Sequence, residues 1–165
     1  SKKIDVRIEN TTSLNEEVKS VFYSNWIYSG IRNYVATPGP HDVLSIAHAL
    51  HIPKNITADA LQFLIQNGLC KIQKGSITYA IKRTHLDSDS AYVNTHHTNW
   101  RNKAIQNMPL KKSNDLFFTS PMSLSEETAQ EIRALIPALI QKIMKKVEPS
   151  PSEKVYCLNL DWFEI

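Results

Sequence analysis

The chain has 165 residues, 42% of them hydrophobic and 21% charged, with a formal net charge of +3. This is the composition of a globular protein with a packed core, and it excludes a disordered or collagen-like chain. No apolar run approaches the roughly 18 residues a transmembrane helix needs, so no partner in a membrane is expected. The mild basicity permits nucleic-acid contact without demanding it.

The chain opens on Ser1-Lys2-Lys3-Ile4-Asp5, which is neither a signal peptide nor an initiator Met, so native sequence is expected upstream. Cys70 and Cys157 form no CxxC pair. Each lies in an apolar stretch, which predicts two buried free thiols in a reducing cytoplasm.

Ser13-Leu14-Asn15-Glu16 has the S-x-x-E form of a capping box and predicts one helix running to about Ala36. Its apolar side is Leu14, Val18, Val21, Phe22, Ile31, Tyr34 and Val35. Thr37-Pro38-Gly39-Pro40 ends it. Val43, Ile46, Ala47 and Leu50 then share one helical face, and Ile52-Pro53 breaks that helix. Thr57 is read as the cap of the next helix, Ala58 to Asn67, with Ala58, Leu61, Leu64 and Ile65 inward. Asn67-Gly68 stops it. Two β-prone runs around Lys74-Gly75 predict a hairpin. The order helix, helix, hairpin from Pro40 to Thr84 is that of a winged helix-turn-helix.

The second half begins with a helix near Tyr92 to Met108. A strand is expected from Leu116 through Leu124. Ser125 then caps a long helix with Glu126 and Glu127 in its first turn. Ile132, Leu135, Ile136, Leu139, Ile140, Ile143 and Val147 form its apolar stripe, with Pro137 inside it as a kink. In a last strand, Tyr156, Leu158, Leu160 and Trp162 alternate with Val155, Cys157, Asn159 and Asp161. The expected fold is therefore α+β: an N-terminal helical segment (1–39), a winged helix-turn-helix (40–84), and a C-terminal helix followed by a strand-helix-strand unit (85–165).

No catalytic pattern is present. Gly30, Gly39, Gly68 and Gly75 sit in no phosphate-binding loop, and there is no GxSxG elbow. The chain is read as no enzyme and as carrying no cofactor. His48 and His51 on one helix and His96-His97 on another would need to meet to hold a metal, and they lack Cys or Asp support. They read instead as ordinary helix positions, with His96 or His97 hydrogen-bonding near Trp100 and Arg101. No metal site is expected.

Lys71, Lys74, Lys82 and Arg83 lie in or beside the hairpin with no acid among them. Such cations suit phosphate contacts, and they equally suit a solvated strand edge. On the second helix of the unit, Asp59, Gln62, Phe63 and Gln66 are expected to point outward. Glutamine can read adenine, but this face carries no cation, and Asp59 would repel phosphates. The exposed aromatic ring suits a protein contact better. The helix is therefore expected to dock a protein surface, leaving only weak DNA affinity through the hairpin.

Several stretches together resemble a family. They are Trp26-x-x-x-x-Ile31-Arg32, the run through Gly68-Leu69, His85-Leu86-x-x-Asp89-Ser90, and His96-His97-x-x-Trp100-Arg101-x-x-Ala104-Ile105. Ser120-x-x-Ser123-Leu124-Ser125 and Asp161-x-Phe163 complete the set. The chain is similar to the C-terminal region of a bacterial paralogous family of transcriptional regulators, a domain of unknown function. The resemblance implies an upstream helix-turn-helix domain that this chain lacks. The expected function is the regulatory part of a transcription regulator with weak or indirect DNA binding. The alternative is a winged-helix protein-interaction module, since fold does not fix function. A small-ligand sensor in the second half is a third reading. The apolar stripe of the long helix is too wide for one face, which predicts a homodimer through the second half.

Overall fold

The computed structural model describes residues 14–82, 84 and 90–165. Among them are six α-helices and one two-stranded antiparallel sheet, an α+β arrangement. Ser13, Arg83 and the His85-Leu86 to Asp89 stretch lie outside the described residues.

The expected first helix is two helices, α1 (Glu16–Phe22) and α2 (Trp26–Tyr34). The apolar side runs through both, which is why periodicity alone joins them. The break is polar and local. The Ser24 hydroxyl donates to the Val21 carbonyl at 2.6 Å, ending α1. The Asn25 side chain accepts from the Ile27 amide at 3.1 Å and starts α2. Short polar side chains compete in this way with a continuing helix. Asn15 caps α1, accepting from Val18 N–H at 2.9 Å.

Helix α3 spans Val43–Leu50 as expected. Asp42 accepts from the Ser45 amide at 2.8 Å, and the Ser45 hydroxyl takes the Asp42 amide at 3.0 Å, a reciprocal cap. Helix α4 spans Lys54–Gln66 and begins earlier than the expected Ala58. Thr57 is not its cap: the residue is fully buried and its hydroxyl donates to the Pro53 carbonyl at 3.1 Å. The inward face is Thr57, Ala60, Leu61 and Leu64, whereas Ala58 is exposed.

The chain reverses at Gly68, whose φ of +71° suits a residue without Cβ. Leu69 N–H returns to the Leu64 carbonyl at 2.8 Å. Strands β1 (Cys70–Gln73) and β2 (Ser76–Tyr79) pair antiparallel, Gln73 opposite Ser76. Lys74 and Gly75 between them both have positive φ, 51° and 75°, as a two-residue hairpin turn of matching twist requires. The hairpin is tied back to the loop before α3. Ile77 N–H donates to the His41 carbonyl at 3.0 Å, and His41 N–H donates to the Ser76 hydroxyl at 2.9 Å.

One core unites these elements. Phe22, Ile31, Val35, Ile46, Ile52, Leu61, Leu64 and Leu69 are buried in it. Leu50 is partly buried at its edge. Burying one such leucine or isoleucine contributes roughly 1.5–3 kcal/mol.

Helix α5 (Val93–Asn107) lies against α1 and α2, followed by a 3₁₀ turn, Met108–Leu110, and then by helix α6 (Glu126–Val147). Ser125 caps α6 by accepting from Thr128 N–H at 3.1 Å. The expected flanking strands are absent among the described residues. Segments 116–124 and 155–162 have no regular secondary structure, and among the described residues no backbone hydrogen bond joins either to another segment. The alternation is in the sequence, but no neighbour among the described residues completes a ladder.

Candidate functional site

Two parts of the surface carry the chemistry. The first is α4 with the β1–β2 hairpin. Lys71 and Lys74 are exposed there. Lys82 is not free: it is half-buried, and its Nζ donates to the Asn67 carbonyl at 3.0 Å, at the end of α4 where the helix dipole is negative. Arg83 lies outside the described residues.

On α4, Asp59, Gln62 and Gln66 are exposed. Phe63 is half-buried instead, its ring edge-on to Tyr28 of α2 at 5.2 Å. It holds α4 to α2 and is withdrawn from the outer face. The earlier start of α4 adds four residues that sequence reasoning missed, among them exposed Lys54 and Asn55. Asn55, Asp59, Gln62 and Gln66 follow i, i+4, i+7, i+11, so they form one outward stripe. The Ile52-Pro53 break was the available signal, because proline favours the very start of a helix.

The second part lies where α5 meets α2. Arg32 is 3% exposed, and among the described residues no carboxylate pairs with it. Its Nε donates to Leu69 O at 3.1 Å and its NH2 to Ala80 O at 2.9 Å and Lys82 O at 2.8 Å. NH1 reaches the Thr84 hydroxyl at 3.3 Å, and the guanidinium sits 4.3 Å from the Tyr79 ring centre. Burial lowers its pKa, opposed by Tyr79. The fork thus staples both ends of the hairpin to α2, a geometry lysine could not reproduce. Tyr23 adds a hydroxyl donated to the Thr84 carbonyl.

Helix α5 is clamped by aromatic contacts. Trp100 packs on Trp26 at 6.1 Å, and Lys103 Nζ lies 4.1 Å from the Trp26 ring centre. His96 meets Tyr23 edge-on at 5.2 Å, and burial with neighbouring His97 and Arg101 lowers its pKa. The final segment then docks on α5. Arg101 Nε donates to both Asp161 oxygens, at 2.9 and 3.0 Å, and Asn159 Nδ2 donates to Trp100 O at 3.2 Å. That hydrogen bonding holds the Asp161 carboxyl below the usual carboxylate range. A cleft of about 910 Å³ lies between α1, α2, α5 and residues 155–158, with Asn33, His96 and Trp100 on its walls.

Cys70 is buried, which pushes its thiol up to about 11. Cys157 is exposed, contrary to the expected buried thiol, in a segment that pairs with no other among the described residues. His48 and His51 are exposed on and beyond α3, and among the described residues no three His, Cys, Asp or Glu converge as metal ligands.

Three of the stretches that suggested a family meet in space: Trp26 packs with Trp100, and Arg101 pairs with Asp161. A family model described as Domain of unknown function (DUF4423) matches residues 7–165. The chain belongs to this family. No curated protein and no solved structure matches it. The DUF4423 match takes in all the described residues, from α1 to the segment docked on α5. No helix among its described residues is long and apolar enough to cross a membrane.

Proposed function

We propose that this chain is the regulatory part of a bacterial transcription regulator, a non-enzymatic cytoplasmic protein with an upstream helix-turn-helix domain. In this reading residues 40–84 are a winged helix that touches DNA weakly. The observation that carries it is the packed pair α3 and α4 followed directly by a tight hairpin with Lys71 and Lys74 exposed. Those cations are free for phosphates, while the α4 stripe offers Asn55, Gln62 and Gln66 around the acid Asp59. Amides can pair with adenine edges, yet Asp59 in their midst opposes close approach of the DNA backbone. Affinity through two or so phosphate contacts falls in the non-specific range, roughly 10⁻⁴ to 10⁻⁶ M, with a shallow salt slope.

The test is duplex binding at several salt concentrations. Lys71→Ala with Lys74→Ala should weaken binding on every sequence and flatten the salt slope. Gln62→Ala with Gln66→Ala should leave it unchanged. Sequence-specific binding that the glutamine changes abolish would overturn the reading, because α4 would then be a base reader.

A protein-interaction module is the second reading, and the Asp59-centred stripe favours it. It predicts no salt-dependent DNA binding at all. Either reading accommodates a homodimer through the second half, which the uncovered apolar residues of α6 support.

A further inference from the structure

The homodimer just proposed has a specific geometry written into α6. Two sides of this helix are apolar. On one side Ile136, Ile140 and Met144 line a groove with Leu160 and Trp162 of the same chain. On the other, Leu135 is 67% and Leu139 49% exposed, and no residue of α6 is buried. At 100° per residue, Thr128, Glu131, Leu135, Leu139, Lys142 and Lys146 share that uncovered side, with Glu127 and Ala138 at its edge and Ala138 also lining the groove.

The charges along it are segregated. Glu126, Glu127 and Glu131 occupy the first part of α6, and Lys142, Lys145 and Lys146 the last. A parallel copy would set like charges together. An antiparallel copy turned about a two-fold axis between Ile136 and Pro137 sets Glu131 opposite Lys142 and Glu127 opposite Lys146, twice over by symmetry. The same operation sets Leu135 against Ala138 and Leu139 at the centre. Such self-complementarity is what an isologous interface demands, and no foreign partner would need to share it.

The exposed side chains agree. Leu135, Leu139, Ile140, Met144 and Val147 of α6 are 41% to 67% exposed. Leu116 and Phe118, 82% and 80% exposed, and Leu158, 60%, lie in segments whose backbone groups pair with no other segment among the described residues.

We propose that α6 pairs antiparallel with α6 of a second copy about a two-fold axis at Ile136–Pro137, and that this homodimer covers segments 116–124 and 155–163. The proposal rests on the dimer reading alone and not on DNA binding.

The experiment uses the whole chain and measures mass in solution by light scattering and sedimentation. Wild type should be a dimer at micromolar concentration. Leu135→Glu with Leu139→Glu should raise the dissociation constant at least a hundredfold while circular dichroism stays helical. Two charge variants make the test independent of that change. Glu127→Lys with Glu131→Lys makes the uncovered side wholly basic, and Lys142→Glu with Lys146→Glu makes it wholly acidic. Each alone should dimerise at least tenfold more weakly, and an equimolar mixture should recover the wild-type constant as a heterodimer. A monomeric wild type at high micromolar concentration would overturn both the dimer reading and this geometry. A dimer that survives the leucine changes, or charge variants that do not rescue each other, would overturn the geometry and leave the dimer.

Discussion

Residues 14–82 and residues 90–165 are similar in length and in apolar character, yet every buried residue among those described lies in the first region. The first folds its apolar side chains onto each other, with Ile31, Ile46, Leu64 and Leu69 completely enclosed. The second lays them along one long helix and two segments without regular secondary structure, where Leu135, Phe118 and Leu158 remain open. The difference teaches that apolar patterning specifies which side wants cover, and topology decides whether the same chain can supply it. In the first region short turns fold α3, α4 and the hairpin back on α2. In the second, α5 is held by Trp26 and Tyr23, but α6 meets chiefly the final segment.

The largest effect expected is a direct contrast between the two regions. Leu64→Ala should cost about 2–5 kcal/mol in urea unfolding, as for a leucine leaving a closed core. Leu139→Ala should cost less than about 0.5 kcal/mol when measured at concentrations where the chain is monomeric. Equal costs would break the contrast.

Next comes the staple that joins the hairpin to α2. Arg32→Lys should destabilise the first region by about 2–3 kcal/mol, because it leaves buried carbonyls at Leu69, Ala80 or Lys82 without a donor. The second region should show the change only through the shared Thr84 and α2 contacts. Amide hydrogen exchange of the hairpin against that of α6 separates the two.

How far the sequence revealed these elements follows the same division. Val43, Ile46, Ala47 and Leu50 displayed α3 at once, and Lys74-Gly75 displayed the turn, because helical period and positive-φ chemistry are local properties. The split at Asn25 was hidden, since Phe22 and Ile31 continue one apolar pattern across it. The start of α4 was misplaced because Thr57, a common cap residue, sits instead inside the core. Lys82 looked like a free cation beside the hairpin, and only the fold shows the Asn67 carbonyl that takes it. The role of Arg32 was not legible at all: its acceptors are 37 to 52 residues away. Segments 116–124 and 155–162 carry strand-like alternation that finds no pairing partner among the described residues.

A smaller effect sharpens the hairpin. Gly75→Ala should cost about 1 kcal/mol, from the φ of 75° alone, since nothing lies within 4 Å of the added methyl. Thermal unfolding should show this loss without altering exchange in α6.

The smallest effects concern the dock of the final segment on α5, where two groups titrate in separate windows. Asp161 has a lowered pKa, so its contribution is complete above the ordinary value near 3.8 and is lost as pH falls through its folded value. The pair is partly exposed, and Asp161→Asn should cost at most about 1 kcal/mol at neutral pH. His96 also has a lowered pKa, so the folded state resists its protonation. Stability should therefore decline as pH drops below about 6.5, the ordinary histidine value, and His96→Gln should flatten that decline. Unfolding free energy measured from pH 7.5 to pH 3 in the two variants resolves the windows.

The first region completes its own core, and the second is proposed to be completed by another copy of the chain. Amide hydrogen exchange followed by mass spectrometry over a dilution series tests it most directly. Protection of α6 and of residues 116–124 and 155–163 should rise steeply with protein concentration, while protection of α3, α4 and the hairpin stays constant. Protection of α6 that is high and independent of concentration would contradict the account.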